Sequence, residues 1–589
     1  MDGDVNTKVG LDGNGGTGQQ FFVGEGGPID CRAKPYFHCN EIPVIPIPPI
    51  RVQFPYKTKI GPDVKHRSRW KSSVDLAIFP NQPMPIEKNG KDFMATPVRI
   101  HPDNPKLFEF RAKPLVLLTA TEHYGAVFNR PFDFARYLAD TADKKITLSR
   151  LFILFRELQS PNNPYSTCKP ESPDYIAPYK RIGPQRALDG EPQYDLDQWN
   201  PEFFERLHRF VAQASDYGII IEVVLLSNTY GEHIWALNPL NAANNINGTE
   251  RIPWYQYMSQ TPKRIYQRQV ELTRRIVTEL NRYDNIIWEI CNEPGGGVGT
   301  DDAPAPERVN DWLESLNHLI RQTEAKLPKQ HIIAGQEAFA YKLPEERQNP
   351  LDVHQFSDRS FDSQEYEVVN MHPLSNMKHR GQQYHLGRFM QAQLHLEAYR
   401  QYCLDLYPEG KPLNLDEDNC ASQYKNLRGW TIHRKRAWMA LLCGAHYDVI
   451  DFSINNYLET GTPESQRNIR SWMRYLSEYV HALDLVHTRP MPTVVRQTPE
   501  HTLAAVFGVP CKDYSVYLAD HREDEDSGAG EPIEGKLVLD LPKGDYEATS
   551  FSPQTGLYSP RTLHAGGRNT AFALPPFNDD IVLRLQRLR

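Results

Sequence analysis

The chain has no run of about 18 apolar residues, so no membrane-spanning helix is expected. It also lacks a Cys-x-x-Cys pair. Its eight cysteines, Cys31, Cys39, Cys168, Cys291, Cys403, Cys420, Cys443 and Cys511, are scattered without a His-rich partner segment, and no metal site is expected. Cys31 and Cys39 are close enough in sequence for a local staple, whereas Cys291, Cys420 and Cys443 sit on or beside apolar runs that favour buried free thiols. There is no long basic run, and the net charge is −8, so nucleic acid is not an expected partner. Met1–Gln20 lacks the apolar middle of a signal peptide. Two readings stay open: an intracellular protein, or a secreted or periplasmic mature form with Met1 added for expression. The sequence leaves the oligomeric state unread.

What is present is length, 589 residues, enough for a large domain plus smaller units. Residues 1–105 are first glycine-rich and then proline-rich, with Pro43, Pro46, Pro48 and Pro49 among Val and Ile. Proline at that density forbids helix and disfavours central strands, which predicts an extended N-terminal arm with short edge strands.

From residue 106 apolar runs alternate with amphipathic helices. Strands are expected at 113–121, 146–155, 218–226, 286–290, 331–334, 367–371, 412–415 and 448–454, with helices at 132–143, 195–217, 264–280, 307–327 and 432–442. A long loop is expected from 159 to 193. Eight such units predict an α/β fold, a (β/α)₈ barrel over residues 106–486, with the chemistry at the C-terminal strand ends. Past Val486 short alternating strands at 503–509, 514–519, 536–541, 546–551, 570–574 and 581–585 predict an antiparallel β-sandwich over 487–589.

The focal stretch is the fourth strand, Asn285-Ile286-Ile287-Trp288-Glu289-Ile290-Cys291-Asn292-Glu293-Pro294, an apolar run that ends in Asn-Glu-Pro. A second carboxylate, Glu417, ends the seventh strand, Arg150 lies on the second and His372 ends the sixth. This set resembles the retaining glycoside hydrolases of clan A, of the cellulase-like family 5 type, over about two thirds of the chain. The resemblance implies that Glu293 is the acid/base, that Glu417 is the nucleophile and that Asn292 holds the sugar 2-hydroxyl. It further implies a carbohydrate as the partner and no cofactor. Arg150 would keep Glu417 ionised through a charge-assisted bond. Strand alternation together with the resemblance selects Glu417 over its neighbours Asp416 and Asp418, which should point elsewhere while the strand is extended.

The pattern departs from the family where His372-Pro373-Leu374 replaces a His-x-Tyr and Asp451-Phe452-Ser453 replaces a terminal Trp. Tyr230, Trp235, Trp254 and Tyr457 are candidates for a replacement aromatic platform, and Glu122, His123 and Tyr124 end the first strand. Expected substrate contacts are therefore Arg150, Asn292, His372, His123, Tyr124, Glu122, Tyr230 and Trp235. The string Lys543-Gly544-Asp545-Tyr546 with Phe551-Ser552-Pro553-Gln554-Thr555-Gly556 is similar to the small sandwich that follows barrels in apiosidase-like proteins. The expected activity is retaining hydrolysis of a β-linked polysaccharide or oligosaccharide. A catalytically silent carbohydrate-binding barrel, and a transglycosylase using the same two glutamates, are the alternatives.

Overall fold

The computed structural model describes residues 96–122, 125–157, 170, 172–295, 303–341, 353–373, 376–387, 392–418 and 427–588. Most of the proline-rich arm, the Cys31–Cys39 pair, His123 and Tyr124 lie outside the described residues.

Eight parallel strands form one sheet: β1 (Leu118–Thr121), β2 (Leu148–Phe152), β3 (Ile220–Ser227), β4 (Ile286–Asn292), β5 (Ile333–Gly335), β6 (Val368–Asn370), β7 (Leu413–Leu415) and β8 (His446–Ile450). Their order is β1-β8-β7-β6-β5-β4-β3-β2. The ring closes where Thr147 N donates to Leu118 O at 3.1 Å and Leu118 N donates to Thr147 Oγ1 at 2.9 Å. The fold is therefore the expected (β/α)₈ barrel. β3 and β4 are buried along their whole length, because barrel strands face a filled interior on one side and helices on the other. That is why the Ile286–Cys291 run shows no alternation.

The helices follow the apolar stripes of the sequence. α1 (Phe134–Asp143) is capped by Asp133, and α2 (Pro201–Tyr217) starts at an Asn200 cap with Pro at its first position. α2 ends on Gly218 at φ 76°, a left-handed turn that a side chain would strain. α3 (Lys263–Leu280), α4 (Pro306–Glu324), α5 (Leu396–Leu406), α6 (Leu427–Leu442) and α7 (Ile469–His481) complete the outer layer used below.

Three local expectations need correction. The stretch 159–193 is not all loop: Tyr179–Arg186 and Pro192–Trp199 pair as an antiparallel hairpin. It follows that α2 begins six residues later than the expected Asp195, since residues up to Trp199 are strand and Asn-Pro-Glu supplies the true helix start. The eighth strand lies at His446–Ile450 and not at 448–454. Beyond these, a four-stranded sheet of Ala340–Tyr341, Val353–Phe356, Asn376–His379 and Gln382–Tyr384 is built from the segments that follow β5 and β6.

At the opposite end a three-stranded sheet of Arg99–His101, Asn104–Phe110 and Lys113–Leu115 packs Val98, Phe108 and Phe110 against Leu148, Ile220, Ile287, Ile332 and Val368. These residues stand at or near the strand beginnings, so this sheet plugs the barrel floor and leaves the chemistry to the other face.

The C-terminal strands are β9 (Thr502–Val509), β10 (Asp513–Asp520), β11 (Lys536–Leu539), β12 (Gly544–Phe551), β13 (Thr562–Gly566), β14 (Thr570–Ala573) and β15 (Asp580–Arg587). They make the expected antiparallel two-sheet sandwich. Period-2 alternation buries both faces of β9 and β10. Val506, Val516 and Leu518 fill the sandwich, while Ala505, Tyr517 and Ala519 pack on the barrel helices. Trp438 of α6 stacks on Tyr517 at 5.6 Å, and Arg434 of α6 holds Asp580 with bonds of 2.9 and 3.0 Å.

Candidate active site

The site is built where three chain segments leave the barrel in left-handed conformation. Tyr230 after β3 has φ 50°, Glu293 after β4 has φ 48° and Glu417 after β7 has φ 61°. Each such non-glycine residue costs on the order of 1–3 kcal/mol, so neighbouring bonds must hold it. Glu293 N donates to Gln336 Oε1 at 2.7 Å, and Asn228 Nδ2 donates to Glu293 O at 3.0 Å. After Glu417, Asp418 N donates to Asp448 O at 2.8 Å, and the Asp418 carboxylate accepts from Arg436 Nη1 at 2.7 Å and Tyr447 Oη at 3.1 Å.

Arg150 is the hub. Fully buried on β2, it donates to Glu417 Oε2 at 2.9 Å, to both oxygens of Glu289 at 2.8 and 2.6 Å, and to Asn292 Oδ1 at 3.1 Å. Its Nε also lies 3.2 Å from Asp416 and 3.8 Å from Glu222. Burial alone would weaken the guanidinium charge, but Asp416, Glu289, Glu417 and Glu222 outweigh it and fix the cation.

Six carboxylates meet here, and exposure separates them. The side chains of Glu293 and Glu417 keep 12% and 8% of their surface, whereas Glu222 and Glu289 keep 1% and Asp416 and Asp448 none. Only the first two face the open end. The sealed acids are more than two cations, Arg150 and His372, can neutralise. Burial, with Asp416 and Glu289 alongside, raises Glu222 well above the usual carboxylate range. Burial pushes Glu289 up to about 7 against the pull of Arg150, and pushes Asp448 up to about 7. Asp416 is raised by burial and held back by Arg150 and His372.

Glu293 differs from this group. Burial works to raise its carboxyl, but the His372 hydrogen bond and charge, with help from Tyr230, bring it below its ordinary value. His372 Nδ1 lies 3.0 Å from Glu293 Oε1, and its Nε2 lies 3.4 Å from Asp416 Oδ2. Burial disfavours the imidazolium, yet bonds to Asp416 and Glu293 raise it well above the usual histidine range. Tyr230, 38% exposed, accepts from Asn292 Nδ2 at 2.7 Å and so stands at the mouth of the site.

Of the expected site residues, Arg150, Asn292, Glu293, His372, Glu417 and Tyr230 converge. Arg150 and His372 are sealed, however, and act on the carboxylates; neither has the surface expected of a substrate contact. Trp235 is a correction: it is 2% exposed, its indole nitrogen donates to Ile252 O at 3.1 Å, and it packs on Tyr257 in the core. Glu122 is also buried, accepting from Gly125 N at 3.4 Å. A further correction concerns Asp416, expected to point away from Glu417. Both reach Arg150, because the left-handed Glu417 breaks the alternation that would have separated them. The sealed set of Glu222, Glu289, Asp416 and Asp448 escaped the sequence reading. Its signal was charged residues inside otherwise apolar strands, as in Ile286-Ile287-Trp288-Glu289-Ile290.

Two groups, Glu293/His372/Glu417 and Glu222/Glu289/Asp416, each bring three ligand-type atoms within 4.8 Å of one another. The Arg150 guanidinium already sits against Glu222, Asp416 and Glu417, where it would repel a divalent cation. The network is accordingly read as a charge and proton system.

Residues 178–396 match the family model "Cellulase (glycosyl hydrolase family 5)". An endoglucanase of Clostridium saccharobutylicum is 27% identical over 100 residues; the aligned stretch is 17% of this chain and spans only about a fifth (20%) of that relative. A glycoside hydrolase family 5 structure from Bacteroides vulgatus ATCC 8482 superposes with a TM-score of 0.51 at 11% identity, covering 83% of this chain and 94% of its own. A second structure from the same strain gives a TM-score of 0.53 at 12% identity, covering 84% and 83%. The barrel thus shares its fold with these glycoside hydrolase structures. More narrowly, residues 178–396 are similar to the cellulases of glycosyl hydrolase family 5.

Proposed function

We propose that the protein hydrolyses a β-linked glycan with retention of anomeric configuration, Glu417 serving as nucleophile and Glu293 as acid/base. The observation that carries this reading is the separation of the two open glutamates, whose nearest carboxylate oxygens lie within 4.8 Å. Retaining enzymes hold their carboxyl groups about 5–5.5 Å apart, while inverting enzymes need about 6.5–9.5 Å to admit a water. A glycosidic bond has a poor leaving group and an oxocarbenium-like transition state, so one carboxyl must deliver a proton while the other attacks the anomeric carbon. Arg150 donates to Glu417 Oε2 at 2.9 Å and so holds the nucleophile in place, and His372 supplies Glu293 with an exchangeable proton. Asn292, fixed between Arg150 and Tyr230, is suitably placed to meet a hydroxyl beside the scissile bond.

Replacing Glu293 with Ala tests the acid role. Turnover of unactivated phenyl β-glycosides is expected to fall about 10²–10⁴-fold. First-step cleavage of 2,4-dinitrophenyl β-glycosides, whose leaving group needs no proton, should be nearly unchanged. Equal losses on both substrates would remove Glu293 from this role.

A further inference from the structure

The feature that proton donation by Glu293 does not account for is Asp416. It has no exposed surface, immediately precedes the proposed nucleophile, and directs a carboxylate oxygen to the far nitrogen of His372 at 3.4 Å. Its other contacts include Arg150 Nε at 3.2 Å, Asn370 Nδ2, which donates to Oδ2 at 3.2 Å, and the side chain of Asp448. Asp416, His372 and Glu293 therefore form a line across the barrel, from the sealed interior to the open site.

We propose that Asp416 is a positioning residue that acts through His372 on Glu293, holding the imidazole with a proton on Nε2 so that Nδ1 and Glu293 share one proton across 3.0 Å. The inference rests on the acid/base reading of Glu293. Two forms of the line contain the same number of protons. In one, the imidazolium donates from Nε2 to Asp416 and from Nδ1 to an ionised Glu293. In the other, a neutral imidazole still donates from Nε2 to Asp416, while Nδ1 accepts from a protonated Glu293. Passing between them moves one proton along one hydrogen bond and needs no ring flip.

The chemistry balances in both half-reactions. During glycosylation Glu293 gives its proton to the departing oxygen, the glycosidic C–O bond breaks and the Glu417–carbon bond forms. During deglycosylation water loses a proton to Glu293 as its oxygen bonds to the anomeric carbon, and the Glu417 ester bond breaks with its electron pair returning to Glu417. Before glycosylation His372 returns the shared proton to Glu293, and after deglycosylation it takes it up again, keeping its Nε2 proton throughout.

Every charged group facing this line bears on its titration: Arg150 from β2, Glu222 from β3, Glu289 and Glu293 from β4 and its end, Glu417 beside Asp416, and Asp448 from β8. The bonds to Asp416 and Glu293 raise the imidazolium against the cost of burial. Asp416 thus lifts the pH at which the pair loses its shared proton. Asp416→Asn retains the size and an oxygen able to accept from Nε2 but removes the charge, so that pH must fall.

The test follows kcat/KM against pH on phenyl and 2,4-dinitrophenyl β-glycosides of the sugar turned over fastest in a panel. Asp416→Asn is expected to move the alkaline limb for the phenyl substrate down by about one pH unit or more, and to leave the dinitrophenyl profile in place. Asp416→Glu should restore part of the shift. An unmoved phenyl limb in Asp416→Asn, with Glu293→Ala still showing its leaving-group dependence, overturns the role of Asp416 and leaves Glu293 standing. Loss of that dependence in Glu293→Ala instead overturns the acid/base reading beneath it. Should Asp416→Asn not fold, the wild-type enzyme gives the answer through ¹⁵N-histidine NMR, with the His372 resonance assigned by its loss in His372→Gln. A proton on Nε2 throughout the titration supports the proposal, and a neutral ring protonated on Nδ1 overturns it.

Discussion

Glu417→Ala is expected to lower turnover of any β-glycoside substrate by about 10⁴-fold or more, the scale seen when one member of a catalytic unit is removed. The side chain removed is one of only two carboxylates in the cluster with surface toward the open face, and no sealed acid can take its place. The space it vacates should admit a small anion. With azide and an activated aryl β-glycoside, the variant is expected to form the α-glycosyl azide, because attack then comes once from the face Glu417 occupied. Wild-type enzyme should give a β-configured product, followed by NMR at early times. Inverted wild-type product, or near-normal turnover by Glu417→Ala, would sink the assignment.

The second large effect falls on stability. Arg150→Met strips the cation from Glu289, Asp416 and Glu417 at once, and a buried pair broken from one side costs about 3–5 kcal/mol. Urea unfolding followed by tryptophan fluorescence should show the drop in midpoint. Lysine restores a charge without the fork that grips both Glu289 oxygens, so Arg150→Lys should recover only part of the loss. The effect should depend on pH with a defined sign. Burial pushes Glu289 and Asp448 up to about 7 in the folded protein and raises Glu222 well above the usual carboxylate range, while unfolded carboxylates titrate near about 4. Folded protein holds protons that unfolded chain releases, so the stability these acids contribute is complete below about pH 4 and is lost as pH rises through about 7. Without Arg150 their folded values rise further, and the variant's deficit should widen toward alkaline pH. An unchanged midpoint from pH 5 to 8 would show that Arg150 is not the partner holding these acids.

Much of this was legible in residue order, for reasons that can be named. Ile286–Cys291 reads as a barrel strand because burial on both sides removes alternation, and Asn292-Glu293-Pro294 breaks it at the place where the chain must turn. The match of Glu417 to Arg150 was also accessible, since a strand-end acid and a mid-strand arginine point to the same interior. Asp416 was not, because alternation assigned it to the other side, and only the left-handed turn at Glu417 brings both acids to one cation. Trp235 misled for the opposite reason. Its position in a long loop after a barrel strand is that of a ligand contact, but the loop folds back and spends the indole on the core. The hairpin of Tyr179–Arg186 and Pro192–Trp199 was hidden by its own prolines and glycines, which read locally as loop while register is set by the pairing partner.

The close seating of α6 bears on how such proteins can be recombined. From Ile432 to Leu442 every residue of that helix is buried, including Arg434, Lys435 and Arg436. An outer barrel helix normally keeps a wet side, and this one has given it up to the strands that follow. The two parts have therefore ceased to be interchangeable modules. A chimaera that grafts this barrel onto a foreign appendage, or cuts it free near residue 486, would expose Trp438 and leave Arg434 without Asp580. Any lineage that exchanged the C-terminal part would have had to rewrite α6 in the same step.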